Sequence, residues 1–85
     1  MNAAQRVRAN RRDRIRLRET VSAQLKRLIE QNGTTHEDLA DSLGCSVSQS
    51  YRLVAGDRTP EAIMVRRIAR VCGVTVESLL NGGRP

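Results

Sequence analysis

HEDLADSLGCSVSQSYRLVAG, residues 36–56, holds two short helical segments with almost nothing between them. Thr34 or Thr35 can cap the first, with Glu37 or Asp38 as the carboxylate three residues on, and Leu39, Ala40 and Leu43 form its buried face. Gly44 stops it after about two turns. Ser46 followed by Gln49 has the spacing of a capping box, so another helix begins at Ser46 and runs to the stop at Gly56. Two helices joined so tightly must cross steeply, and the second then projects from the body. Ala40 sits where the pair approach most closely and tolerates little beyond a methyl group. Gly44 opens the turn in a conformation that costs other residues more, and Leu53 anchors the second helix inward.

Working outward, Val21, Leu25, Leu28 and Ile29 fall on one stripe of an amphipathic helix that Gly33 ends. Its start is open: Thr20 could cap it, or it could run back through Ile15 and Leu17. Downstream, Thr59-Pro60-Glu61 places a cap, a proline at the first helical position and an acid in the first turn. The buried stripe of that helix is either Val65, Ile68, Ala69 and Cys72 or Met64, Ile68, Val71 and Cys72, and Gly73 ends it in both cases. Thr75 can cap a last short helix that buries Val76, Leu79 and Leu80 and stops at Asn81-Gly82-Gly83. With Tyr51 the lone aromatic and no run that alternates like a strand, the expected fold is all-α: five helices around an aliphatic core. The 85 residues allow one domain with tails, divided as a basic arm over 1–19, the helical domain over 20–81 and a tail over 82–85.

The net charge of +6 is unevenly placed. Residues 1–18 hold seven arginines, Arg6, Arg8, Arg11, Arg12, Arg14, Arg16 and Arg18, against Asp13 alone, whereas residues 19–85 hold eight basic and eight acidic groups. The arm therefore carries the whole surplus. Such a block is drawn to polyanions through counterion release. Nucleic acid suits it better than a membrane surface, because Val7, Ile15 and Leu17 do not make a continuous apolar face. No stretch approaches the roughly 20 apolar residues of a membrane span, and no secretory signal follows the basic start, so the expected location is the cytoplasm. Cys45 and Cys72, with only His36 as a further soft ligand, are too few for a zinc site and read as packed thiols. No nucleophile with a base, carboxylate pair or phosphate-cradling glycine loop is present, and no cofactor, metal or small-molecule ligand is called for. An enzyme is not expected.

The stretches HEDLADSLGCS, VSQSYRLVAG, GDRTP and ARVCGVTVESLL, spread over residues 21–80, resemble the lambda repressor and Cro-like (XRE) helix-turn-helix family. That resemblance implies the family's five-helix fold and sequence-specific binding of double-stranded DNA by a transcriptional regulator, with the helix beginning at Ser46 in the major groove. Val47, Ser48 and Arg52 match the family's base-contacting positions, and Gln49 lies beside them. Glutamine can bond adenine, arginine can fork onto guanine, serine suits either partner, and valine can pack on a thymine methyl. The resemblance puts His36, Ser46 and Arg58 at the DNA backbone, His36 standing where the family usually has a glutamine. Small chains of this family serve as phage repressors, Cro-like switches, antitoxins and bacterial regulators. Binding as a homodimer to a palindromic site is expected, since Val76, Leu79 and Leu80 give the last helix more apolar surface than it needs.

Two features depart from the family's pattern. Ser50 falls where the family buries a branched aliphatic residue, so the recognition helix packs less tightly, rotates, or uses Tyr51 to fill the space. Its hydroxyl can be buried at low cost by bonding back to the carbonyl of residue 46. Glu37, Asp38 and Asp41 crowd the helix before the turn, so the arm has to supply the attraction to phosphate. The arm itself can be a flexible extension in the minor groove or along phosphates, a rigid extension of the first helix, or a solvated tail, and the first two together are favoured. Arg66, Arg67 and Arg70 read as ordinary surface charge. The competing functions are a protein-interaction module that keeps the fold without reading DNA, and RNA binding through the arm.

Overall fold

The structure, a computed structural model, describes residues 3–83, with side chains from Arg11 to Gly83. Arg6 and Arg8 of the expected basic arm lie outside the side chains so described. The chain forms five helices: α1 (Ala3–Asn32), α2 (His36–Leu43), α3 (Val47–Ala55), α4 (Ala62–Cys72) and α5 (Val76–Leu80). Among the described residues there is no strand, and no helix is long and apolar enough to cross a membrane.

α1 takes the second of the two starts left open by its sequence. Neither Gly nor Pro occurs between Ala3 and Asn32, and the segment is rich in Arg, Ala, Gln and Leu, all good helix formers. Thr20 is therefore an interior residue, buried against the body rather than capping. The buried stripe starts a turn earlier than Val21, at Leu17, and continues through Val21 and Leu25 to the half-buried Leu28 and Ile29. At about 1.5 Å per residue, 30 residues make a rod of roughly 45 Å, and the molecule's longest dimension is 45 Å.

α1 lies against α3, α4 and α5, α2 packs on α3 and α4, and α4 on α5. The core they enclose is aliphatic: Leu17, Val21, Leu25, Leu39, Leu43, Leu53, Val65, Ile68 and Leu79 are all buried. Local signals set the middle of the fold. Thr35 Oγ1 accepts from the Asp38 N–H at 3.1 Å, and Gly44 ends α2 at φ 68°. In α4 the buried residues are Val65, Ile68 and Ala69, with Met64, Val71 and Cys72 partly covered, which settles the choice between its two stripes. Thr75 caps α5 through the Ser78 N–H at 3.0 Å.

One helix boundary and one expected core residue depart from expectation because tertiary packing outweighs the local signal. α4 begins two residues late: Glu61 is its N-cap and makes no side-chain capping bond, so neither Thr59 caps the helix nor Pro60 starts it. Pro60 is instead buried just ahead of the cap, five residues before the buried Val65, which is the spacing of a hydrophobic staple. In α5, Leu79 is fully buried and Val76 half-buried, but Leu80 is 51% exposed. Adjacent residues on a helix point about 100° apart, so a five-residue helix that seats Leu79 turns Leu80 outward.

Candidate nucleic-acid interface

The side chains that project from the body are set by how α3 is held. Its Ser46 N-cap forms a complete capping box: Ser46 Oγ accepts from the Gln49 N–H at 3.1 Å, and Gln49 Oε1 accepts from the Ser46 N–H at 3.1 Å. One face, Ser50, Leu53 and Val54, is buried, and the opposite face, Val47, Ser48, Tyr51, Arg52 and Ala55, is exposed. The far end is tied to α1 by a buried bond in which Ser22 Oγ donates to the Val54 carbonyl at 2.6 Å. Gly56 then closes the helix at φ 77°.

α2 braces this helix from the other side. The His36 and Tyr51 rings stack with centroids 3.8 Å apart and 17° between planes. The turn between α2 and α3 is secured by Arg67 of α4, whose Nη1 donates to the Leu43 carbonyl at 3.1 Å. Carbonyls at a helix end lack intrahelical partners, and a guanidinium satisfies one while complementing the end's partial negative charge. Arg67 is thus a clamp on the turn and not ordinary surface charge. Two short helices, crossed over a Gly44 turn, present the outer face of the second to solvent.

A helix-turn-helix domain family matches residues 20–80. The chain belongs to that family, and to its XRE and lambda repressor-like type. No curated protein and no solved structure matches the chain. A helix-turn-helix domain is a DNA-binding element, and in this one α2, the turn and α3 form the motif.

The helix-turn-helix geometry sorts the residues singled out from the sequence. Val47, Ser48 and Arg52 come together on the exposed face of α3. Gln49 stands at its edge, half-buried, with its side-chain oxygen turned toward the helix start by the capping bond. Ser46 is exposed at the N-cap, and His36 is half-buried at the start of α2, so both lie at the ends of helices where backbone N–H groups are free for an anion. Nδ1 of His36 is buried without a partner. Arg58 is half-buried and meets Gln49 and Leu53 around a small cavity of about 110 Å³ beside α4. Arg11, Arg12, Arg14 and Arg16 are exposed on α1, and Arg18 is half-buried.

Sequence reasoning missed three participants. Tyr51 does not fill space beside Ser50: it is 56% exposed and joins the outward face. Its position four residues after Val47 carried that signal. Ser22 and Arg67 had no local signature, because each acts on a carbonyl far away in the chain. Ser50 is fully buried, and its hydroxyl has no partner; the bond back to residue 46 is made by the backbone N–H of Ser50 alone, at 3.0 Å.

Proposed function

We propose that the chain is a sequence-specific transcriptional regulator of the repressor or Cro-like kind, working in the cytoplasm of a bacterial cell, with α3 laid in the major groove of double-stranded DNA. The observation that carries this reading is the outward face of α3, where Val47, Ser48, Tyr51 and Arg52 stand together on a helix fixed by a capping box, a ring stack and a buried bond. In this reading Arg52 forks onto guanine, Ser48 bonds a base edge, and Val47, 40% exposed, packs on a thymine methyl. Gln49 reaches the neighbouring base with its amide N–H, its oxygen being shared with the cap. Ser46, His36 and Arg58 hold the phosphates on either side, and the arginines of α1 supply the charge that the domain lacks. The reading needs no cofactor and no catalytic step.

Two copies bind together in this account. Leu80 is exposed beside Leu17 in an open recess between α1 and α5, and the same apolar surface on a second copy would cover it under a two-fold axis. Selection of duplexes from a random pool by the full chain should enrich one motif, with half-sites about one helical turn, some 34 Å, apart. Arg52→Ala should weaken binding to the enriched duplex by about 1–3 kcal/mol and leave binding to random duplex nearly unchanged. A folded chain that enriches no motif overturns the reading; one protein per site at saturation, measured by sedimentation, removes the dimer.

A further inference from the structure

α1 sorts its arginines onto different faces. Arg11, Arg14 and Arg18 follow one another at i, i+3 and i+7 and so form a single stripe. That stripe faces the loop between α3 and α4: the three arginines, Ile15 and Thr59 line one open recess of about 320 Å³. Among the described residues no carboxylate lines it. Arg16 turns elsewhere, into a recess that it shares with Glu19, Thr20 and the Asn81–Gly82 turn. Arg12 lies on the Arg16 side of the helix, at the i, i+4 spacing.

The loop is what relates the stripe to the DNA-reading helix. Arg58 and Pro60 border the cavity that Gln49 lines, and Thr59 between them borders the arginine recess. One short segment therefore borders both the recess at the edge of α3 and the recess along the stripe on α1. Three guanidiniums and a hydroxyl around an open recess match a phosphodiester: each guanidinium offers forked N–H donors, and the hydroxyl a further one. The stripe is also rigidly placed, because α1 runs without a break from these residues into the buried Leu17, Thr20 and Val21. A flexible arm loses conformational freedom when it settles on DNA; a helix already anchored in the core loses little.

We infer that Arg11, Arg14, Arg18 and Thr59 form a preorganised phosphate-binding site, which takes the backbone of the DNA flanking the bases read by α3. The inference rests on the proposed DNA reading and adds to it a second, rigid contact that follows the strand away from the recognition helix. Arg12 and Arg16, equal in charge, stand outside the site.

The test compares two double variants of identical net charge, Arg11→Gln/Arg14→Gln and Arg12→Gln/Arg16→Gln. All four positions are exposed, and glutamine is about as good a helix former as arginine, so both variants should keep the wild-type circular dichroism. Binding to a random-sequence duplex is followed as a function of salt. Each phosphate contact contributes about 0.9 to the slope of log affinity on log salt, so losing two should flatten it by about 1.8. Over a roughly fourfold salt range that difference amounts to about 12-fold in affinity. The Arg12/Arg16 variant, which removes only the longer-range attraction of two charges outside the recess, should flatten the slope clearly less than the Arg11/Arg14 variant, and Thr59→Val should lose about two- to tenfold in affinity without a change of slope. Equal flattening in both double variants would mean diffuse attraction, and no flattening in either would mean no contact; both results overturn the site. If Arg52→Ala still loses affinity for the enriched duplex in those cases, the recess alone is refuted. Failure of the wild-type chain to bind any duplex, or tighter binding to single-stranded RNA of the same sequence, refutes the DNA reading and the site with it.

Discussion

Replacing Ser50 with alanine should make the protein more stable. The side chain is 0% exposed, and its hydroxyl has no hydrogen-bond partner. An unpaired hydroxyl taken out of water costs about 1–3 kcal/mol by mutational measures, and alanine removes that cost. It also gains roughly 0.5 kcal/mol of helix propensity over serine in the interior of α3. Against these stands the lost packing of one oxygen atom, a handful of contacts worth about 0.1–0.2 kcal/mol each. The balance favours Ser50→Ala by about 1 kcal/mol or more, which for a domain of this size raises the melting temperature by about 4–8 °C per kcal/mol. Thermal and urea unfolding followed by circular dichroism will read it, with the midpoint moving and the m-value unchanged. A destabilised or unaltered variant would refute the reasoning, since the hydroxyl would then have to be paired in solution, by the carbonyl of Ser46 or by a buried water.

Ser22→Ala should act in the opposite sense, because it removes the 2.6 Å bond to the Val54 carbonyl and leaves a buried acceptor short of a donor; a loss of about 1–3 kcal/mol in urea unfolding is expected, and a neutral result would show that α3 does not depend on this tie. Burial pushes the thiols of Cys72 and of Cys45 above the ordinary range, against the opposing pull of Arg67 and Arg58 at Cys45. Both should therefore react with a disulfide reagent at mildly alkaline pH more slowly than in the urea-unfolded chain. Since the folded state keeps those protons to higher pH than the unfolded state, stability is undiminished below the ordinary thiol pKa and falls as pH rises through the elevated values. A stability that climbs over that alkaline range would contradict the assignment.

What the sequence made legible is what short-range chemistry controls. The caps at Thr35, Ser46 and Thr75 each join a side chain to a backbone N–H three residues on, and the stops at Gly44, Gly56 and Gly73 all adopt positive φ. Those interactions are complete within one turn of chain, so their spacing announces them. Thr59-Pro60-Glu61 carries the same kind of local signal and misleads, because Pro60 is drawn into the interior. Leu80, Ser22 and Arg67 were illegible for a related reason. Whether an apolar residue is covered, or a hydroxyl or guanidinium finds a distant carbonyl, depends on which helices meet and at what angle. The open question of where α1 begins turned on an absence, since no breaker stands between its arginines and its core stripe.

The capping box also bears on what the recognition helix reads. The spacing of Ser46 and Gln49 and the identity of Gln49 as a base reader are both visible in the sequence, but they draw on the same side chain. A bidentate bond to adenine needs the amide oxygen and the amide nitrogen presented together toward the base edge. In this structure the oxygen is turned to the Ser46 N–H at 3.1 Å, and the side chain is half-buried beside Arg58. Arg52 stands on the exposed face of α3, and its fork is suited to the two acceptors of guanine. Information in the selected DNA motif should therefore concentrate at a guanine under Arg52, with a weaker preference at the position under Gln49. Gln49→Glu separates the two roles of that residue. Glutamate keeps the acceptor for the cap, so stability should hold, while loss of the N–H donor should erase the weaker preference and leave the guanine intact. If the adenine position proves the stronger of the two, or if Gln49→Glu scrambles the whole motif in a protein that melts like wild type, then Gln49 leaves the cap on binding, and α3 is less rigidly set than its contacts imply.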